Sequence, residues 1–231
     1  MLAAILSSIG GFAFAAICGA MLFQLLPDPV QVVQIMIVCS IVNQASMTWA
    51  LRRDIDWRGL PVFLAGGIAG VPIGVWVLLN VAHATYTMAF GVLLTAYGLW
   101  MLFRRPIRLR FQHPALDVAS GFLSGITGGA TGFPSSFLTI WVGFKGWDKN
   151  RQRALFQPFI VVTQLVALAA ISFARPSGSH AAGLSIEEML YLPGSLLGTA
   201  IGMGLFRRLS DTQFGRVVNV MLMVSGLSYL I

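Results

Sequence analysis

Apolar stretches at residues 30–50, 60–80, 86–103, 155–174, 184–206 and 214–231 dominate the chain. Each is as long as the roughly 17–25 residues a helix needs to cross a hydrocarbon core of about 30 Å. Such a chain has little choice of fold, because in lipid every backbone N–H and C=O must find its partner inside the protein. Helices meet that demand segment by segment, so the sequence predicts an all-α integral membrane protein. Composition agrees: 57% of the 231 residues are hydrophobic and 10% charged, against a charged share of about 25% in soluble domains.

Two more apolar stretches, 1–26 and 116–144, are long but carry helix-weakening sequence at their centres. Basic residues decide how the second is threaded. If every stretch crossed, the 15 Lys and Arg would divide almost evenly between the two sides, although cytoplasmic connections normally hold the excess. If 116–144 enters and leaves by one face, every basic residue except Arg175 falls on the cytoplasmic side. A re-entrant hairpin is therefore expected. Residues 116–127 would form a half-helix of about 18 Å. Gly128, Gly129, Ala130, Thr131 and Gly132 would break it, and Pro134 suits the first turn of a second half-helix. Because the basic residues sit between apolar spans, the net charge of +7 reads as membrane orientation rather than nucleic-acid binding. Stretch 1–26 has no basic n-region and no small-residue cleavage site, so it is expected to belong to the fold.

Internal similarity points to a duplication. Ile41-Val42-Asn43-Gln44 matches Val161-Val162-Thr163-Gln164, Gly66, Gly70 and Gly74 match Gly194, Gly198 and Gly202, and Gly98-Leu99 matches Gly226-Leu227. Residues 1–111 and 112–231 then form two repeats of one membrane domain, each a broken or re-entrant hairpin followed by three transmembrane helices. An odd number of crossings turns the second repeat upside down, and such inverted repeats place substrate near the midplane between discontinuous helices. The first-half hairpin is expected around residues 14–19, which are poorer in glycine and lack the proline; a tilted continuous helix is the alternative there.

The hairpin tip supplies the candidate site. A second half-helix starting near Gly132 would aim its free N–H groups and the positive end of its dipole into the membrane, where an anion is the natural occupant. Gly128, Gly129 and Gly132 allow close backbone approach, Ala130 lies among them, and Thr131, Ser135 and Ser136 offer hydroxyl donors. Gln44 and Gln164 are costly in hydrocarbon without partners and occupy equivalent repeat positions, with Asn43 and Thr163 beside them. Paired glutamines facing a shared cavity would supply neutral donors to an oxyanion; interhelical bonding is the competing role. The glycines at 66, 70 and 74 read as a packing seam. Trp57, Trp100 and Trp147 lie near span ends, where the membrane interface favours them.

With its glycine-rich stretch Gly125-Ile126-Thr127-Gly128-Gly129-Ala130-Thr131-Gly132-Phe133-Pro134, its Asp54-Ile55-Asp56-Trp57-Arg58 connection and its two-half layout, the chain resembles the sulfite exporter TauE/SafE family of membrane permeases. The resemblance implies export of sulfite, sulfonates or related small anions across a bacterial inner membrane. It departs in the first half, where Ala15-Ala16-Ile17-Cys18-Gly19-Ala20 replaces a Gly and Pro loop.

No Asp or Glu falls in the middle of a span, so a buried carboxylate proton relay is not visible. An anion leaving a cell that is negative inside gains about 2.3 kcal/mol per charge per 100 mV, which makes potential-driven efflux by alternating access the expected mechanism. The same residues would serve an anion channel. An intramembrane hydrolase using Ser135 or Ser136 lacks a histidine at depth, since His83, His113 and His180 lie near span ends or in connections. A structural membrane subunit is the remaining alternative. Neither metal nor organic cofactor is expected: Cys18 and Cys39 lie in apolar stretches without ligand spacing.

Overall fold

A computed structural model describes residues 29–50, 52–53, 55–82, 113–174 and 208–228, with scattered positions from 84 to 99 and at 201 and 204. Among these residues the secondary structure is entirely helical. The elements are α1 (Pro29–Ala50), α2 (Leu60–Asn80), α3 (Pro114–Thr131), α4 (Ser136–Lys145), α5 (Lys149–Ala174) and α6 (Asp211–Ser228). Of these, α1, α2 and α5 are each long and apolar enough to cross a membrane. The predicted stretches 30–50, 60–80 and 155–174 are thus helical, and α6 covers most of 214–231. Stretch 1–26 with its expected hairpin, and most of 184–206, lie outside the described residues.

Local chemistry starts two of the long helices in the same way. Asp56 Oδ1 accepts the N–H groups of Arg58 and Gly59 at 3.1 Å just ahead of α2, and Asp148 Oδ1 accepts those of Asn150 and Arg151 at 3.0 Å at the start of α5. A carboxylate there pairs N–H groups that have no helical acceptor and complements the positive helix end. Outward-facing Trp76, Leu165 and Phe173 are largely exposed, as expected of side chains that meet lipid tails instead of water.

Helices α2 and α3 pack backbone against backbone. A methyl group on Gly66, Gly70 or Gly74 would strike the carbonyls of Val118, Phe122 and Ile126; reciprocally, one on Gly121, Gly125 or Gly129 would strike those of Phe63, Gly67 and Val71. Residue numbers rise together along both helices, so the pair is parallel. The seam expected from Gly66, Gly70 and Gly74 is present, and its other half comes from the stretch expected to hold the break.

Helices α1 and α5 pack antiparallel. Arg153 Nη2 lies 3.3 Å from Met47 Sδ. About 16 Å away, by the rise of three helical turns, Gly132 approaches Met36 of α1 and accepts a bond from Gln164 of α5. Elsewhere Gly98 backs onto Asn219 and Met223, while Gly226 backs onto Gly91 and Thr95. The core closes around these contacts with Val32, Met36, Phe63, Phe133, Leu138, Phe156 and Phe159.

Candidate functional site

The α3–α4 unit is a hairpin with its open end polar and its tip buried. Asp117, in the first turn of α3, accepts the Trp141 indole N–H at 2.6 Å and pairs with Lys145 at 2.5 Å, in the last turn of α4. Further along, the Leu138 N–H donates to Ser124 Oγ at 2.8 Å, and Thr127 Oγ1 lies 2.9 Å from Ser136 Oγ. Partner numbers fall along α4 as they rise along α3, so the second arm retraces the first. Lys145 Nζ also faces the Phe63, Trp141 and Trp147 rings at 5.4, 5.6 and 5.2 Å. Trp147 is therefore part of a packed cluster closing the mouth, while Trp57 is exposed; Trp100 lies outside the described residues.

The break falls later than the glycine run suggests. Gly128, Gly129, Ala130 and Thr131 remain helical, and the turn occupies Gly132 to Ser135. Glycine tolerates a helix when a neighbouring backbone must come close, and Gly129 is pressed on α2 while Gly128 is pressed on Pro134. Gly132 ends α3 with φ 70°, a left-handed conformation that suits glycine, and its N–H bonds the Gly128 carbonyl at 2.9 Å. Pro134 precedes the cap of α4 instead of occupying its first turn.

The fold brings several predicted residues to this tip. Gln164 Nε2 donates to the Gly132 carbonyl at 3.3 Å, fixing the tip on α5. Ser135 stands at the N-cap position of α4 without a side-chain capping bond and is fully buried, its carbonyl accepting the Thr139 N–H and hydroxyl, while its own Oγ has no hydrogen-bond partner. Gln164 Oε1 is likewise buried and unbonded. At α4's start, Leu138 and Thr139 N–H groups are taken by Ser124 and Ser135, which leaves the earlier N–H groups at a helix end without intrahelical acceptors.

Other predicted residues serve different contacts. Thr131 bonds back to the Thr127 carbonyl at 2.8 Å, and Ser136 faces Thr127 inside the hairpin. Ala130 is buried beside Gly74. Thr163 bonds the Phe159 carbonyl at 2.7 Å and packs on Gly67. Asn43 and Gln44 are buried on α1. The α1–α5 register set by Met47 with Arg153 and Met36 with Gln164 puts Gln44 opposite residue 156, about 12 Å along the axis from Gln164. Sequence reasoning missed Ser124, Thr127 and Asp117, although Ser120, Ser124, Thr127 and Thr131 already mark a hydroxyl face at helical spacing. It also missed Arg153, which is completely buried. Among the described residues no group of His, Cys, Asp and Glu is placed to hold a metal ion.

A family model described as "Sulfite exporter TauE/SafE" matches residues 1–229. Neither the curated proteins nor the solved structures give a match. Broken hairpin, glycine seam and membrane-length helices thus belong to a multi-pass membrane protein, and the chain is a member of the sulfite exporter TauE/SafE family of transporters.

Proposed function

We propose that this protein exports a small oxyanion, sulfite or a sulfonate, across a bacterial inner membrane, binding it at the tip of the α3–α4 hairpin. The observation that carries the reading is two buried, unbonded polar atoms at the hairpin tip, Ser135 Oγ at the N-cap of α4 and Oε1 of Gln164, whose Nε2 holds the Gly132 carbonyl from α5. Unsatisfied buried polar atoms are costly unless a ligand or water completes them. The Ser135 hydroxyl and first-turn N–H groups donate to anionic oxygens, Gln164 Nε2 keeps a second N–H beyond the one on Gly132, and its Oε1 accepts the O–H of a protonated oxyanion. Depth agrees, since α4 has 10 residues, about 15 Å, or half of a hydrocarbon core of roughly 30 Å.

Alternating access between inverted repeats is the mechanism that fits. Its support is the packing of repeat-equivalent segments on one another. Helices α1 and α5, matched by internal similarity, run antiparallel, and Gly98 and Gly226, matched in the same way, each press on the other's helix. Rocking one repeat against the other exposes the tip to each side in turn.

Thermal unfolding of the purified protein with sulfite, with a small sulfonate and with chloride tests the site. Sulfite or the sulfonate is expected to raise the melting temperature, and Ser135→Ala and Gln164→Ala to abolish the rise while remaining folded. A rise that survives both substitutions places the anion elsewhere.

A further inference from the structure

We propose that the hairpin tip selects its ligand by protonation state, taking hydrogensulfite in preference to the sulfite dianion or a sulfonate, and that Gln164 reads the proton. This rests on the transport reading above and names the ionic form of the substrate for that same site. The Gly132 carbonyl can only accept, so the amide atom 3.3 Å from it must be the Gln164 nitrogen. That bond fixes the orientation of the amide and leaves Oε1 as its free end. The oxygen is buried without a hydrogen-bond partner, in a side chain 1% exposed. An acceptor in that state calls for a ligand that brings a donor.

A sulfite dianion brings none, and its oxygens would meet the lone pairs of Oε1. A sulfonate has the same defect, because its oxygens carry no hydrogen at neutral pH. The hydroxyl form of hydrogensulfite brings one O–H for Oε1 and further oxygens for the donors. Those donors are the buried Ser135 hydroxyl, which has no partner, the second Nε2 N–H of Gln164 and the earliest N–H groups of α4. Charge points the same way. A helix start offers roughly half an elementary positive charge, whereas the cost of desolvation grows with the square of the ligand's charge. Among the described residues, the titratable side chains on the helices around the tip are Cys39 of α1, Asp117 of α3, Lys145 of α4, and Lys149, Arg151 and Arg153 of α5. All the charged ones lie toward the far ends of their helices, about 15 Å or more from the tip by helical rise. A site so far from any cation suits one negative charge better than two. Each export event then moves one negative charge, and the proton crosses on the substrate itself.

Titration calorimetry of the purified wild-type protein with sulfite and with chlorate, across the second ionisation of sulfite, tests this. Chlorate is a pyramidal monoanion of similar size that carries no proton. At the acid end, sulfite is expected to bind at least roughly tenfold more tightly than chlorate. Its dissociation constant is expected to rise about tenfold for each pH unit above that ionisation, as the competent fraction falls, while that of chlorate stays flat. The chlorate series also controls for titration of Cys39 or any other protein group. Gln164→Met is expected to erase the advantage of sulfite over chlorate. Three results overturn the assignment and leave anion export standing: sulfite affinity that is level or grows as the dianion forms, chlorate binding as tight as sulfite at the acid end, or a full sulfite advantage in Gln164→Met. Should that variant not fold, the wild-type series decides alone. Wild-type protein that binds neither anion at any pH overturns the transport reading at the tip, and this inference with it.

Discussion

Ser124 shows how single side chains hold the hairpin together. Its hydroxyl accepts the Leu138 N–H, one of the donors that α4 cannot satisfy by itself. Ser124→Ala is therefore expected to lower stability by about 1–3 kcal/mol, the cost of a buried donor left unpaired. Ser120→Ala, which removes only a bond to the Asp117 carbonyl of its own helix, is expected to cost less. Reversible unfolding in mixed micelles checks the ordering, and equal losses would show that Ser124 does not staple the arms. At the mouth, Asp117→Asn keeps an acceptor for Trp141 but strips Lys145, only 5% exposed, of its counter-charge. Breaking a buried pair from one side costs about 3–5 kcal/mol. Adding Lys145→Met to Asp117→Asn is expected to restore a good part of it.

At the scale of elements, the parallel α2–α3 seam and the α3–α4 hairpin define the architecture. Gly125→Ala drives a methyl group into the Gly67 carbonyl, and overpacking of this kind costs about 1–3 kcal/mol or separates the helices. Gly204→Ala meets no atom within 4 Å and is expected to be neutral. The presence of a hairpin was legible because charge distribution and a Gly and Pro cluster agree within one short segment. Its breakpoint was not. Glycine serves a turn and a close helix crossing equally, and the choice at Gly128 and Gly129 depends on Pro134 and on Val71 of α2, contacts that no local pattern reports. Arg153 escaped for a related reason: a basic residue near the end of an apolar span reads as an interface charge, and only the packing of α1 on α5 buries it. Gln164 was legible because an amide deep in an apolar run needs a partner, though the partner is the Gly132 carbonyl and Gln44 lies on another level. Cysteines placed at His113 and Asn150, in a background lacking Cys18 and Cys39, report the hairpin's course. Both are expected to react with an impermeant maleimide from the same side, and a cysteine at Asn80 from the other. Opposite sidedness for 113 and 150 would mean that 116–144 crosses.

For the whole molecule, the membrane class follows from composition and span length, and the transporter assignment from the match over residues 1–229. The proposed site sets neutral donors at Ser135 and Gln164 at the tip, with no carboxylate beside them among the described residues, and the helices matched by internal similarity, α1 and α5, run antiparallel. On that proposal the carrier moves net negative charge and needs no co-transported proton. Each charge gains about 2.3 kcal/mol per 100 mV when it leaves an inside-negative compartment. Sulfite efflux from proteoliposomes under an imposed potential measures that directly. Efflux is expected to speed up when the interior is negative, slow when the sign is reversed, and disappear with Ser135→Ala combined with Gln164→Ala. Efflux indifferent to the potential, or intact in the double variant, would contradict potential-driven export through the hairpin tip.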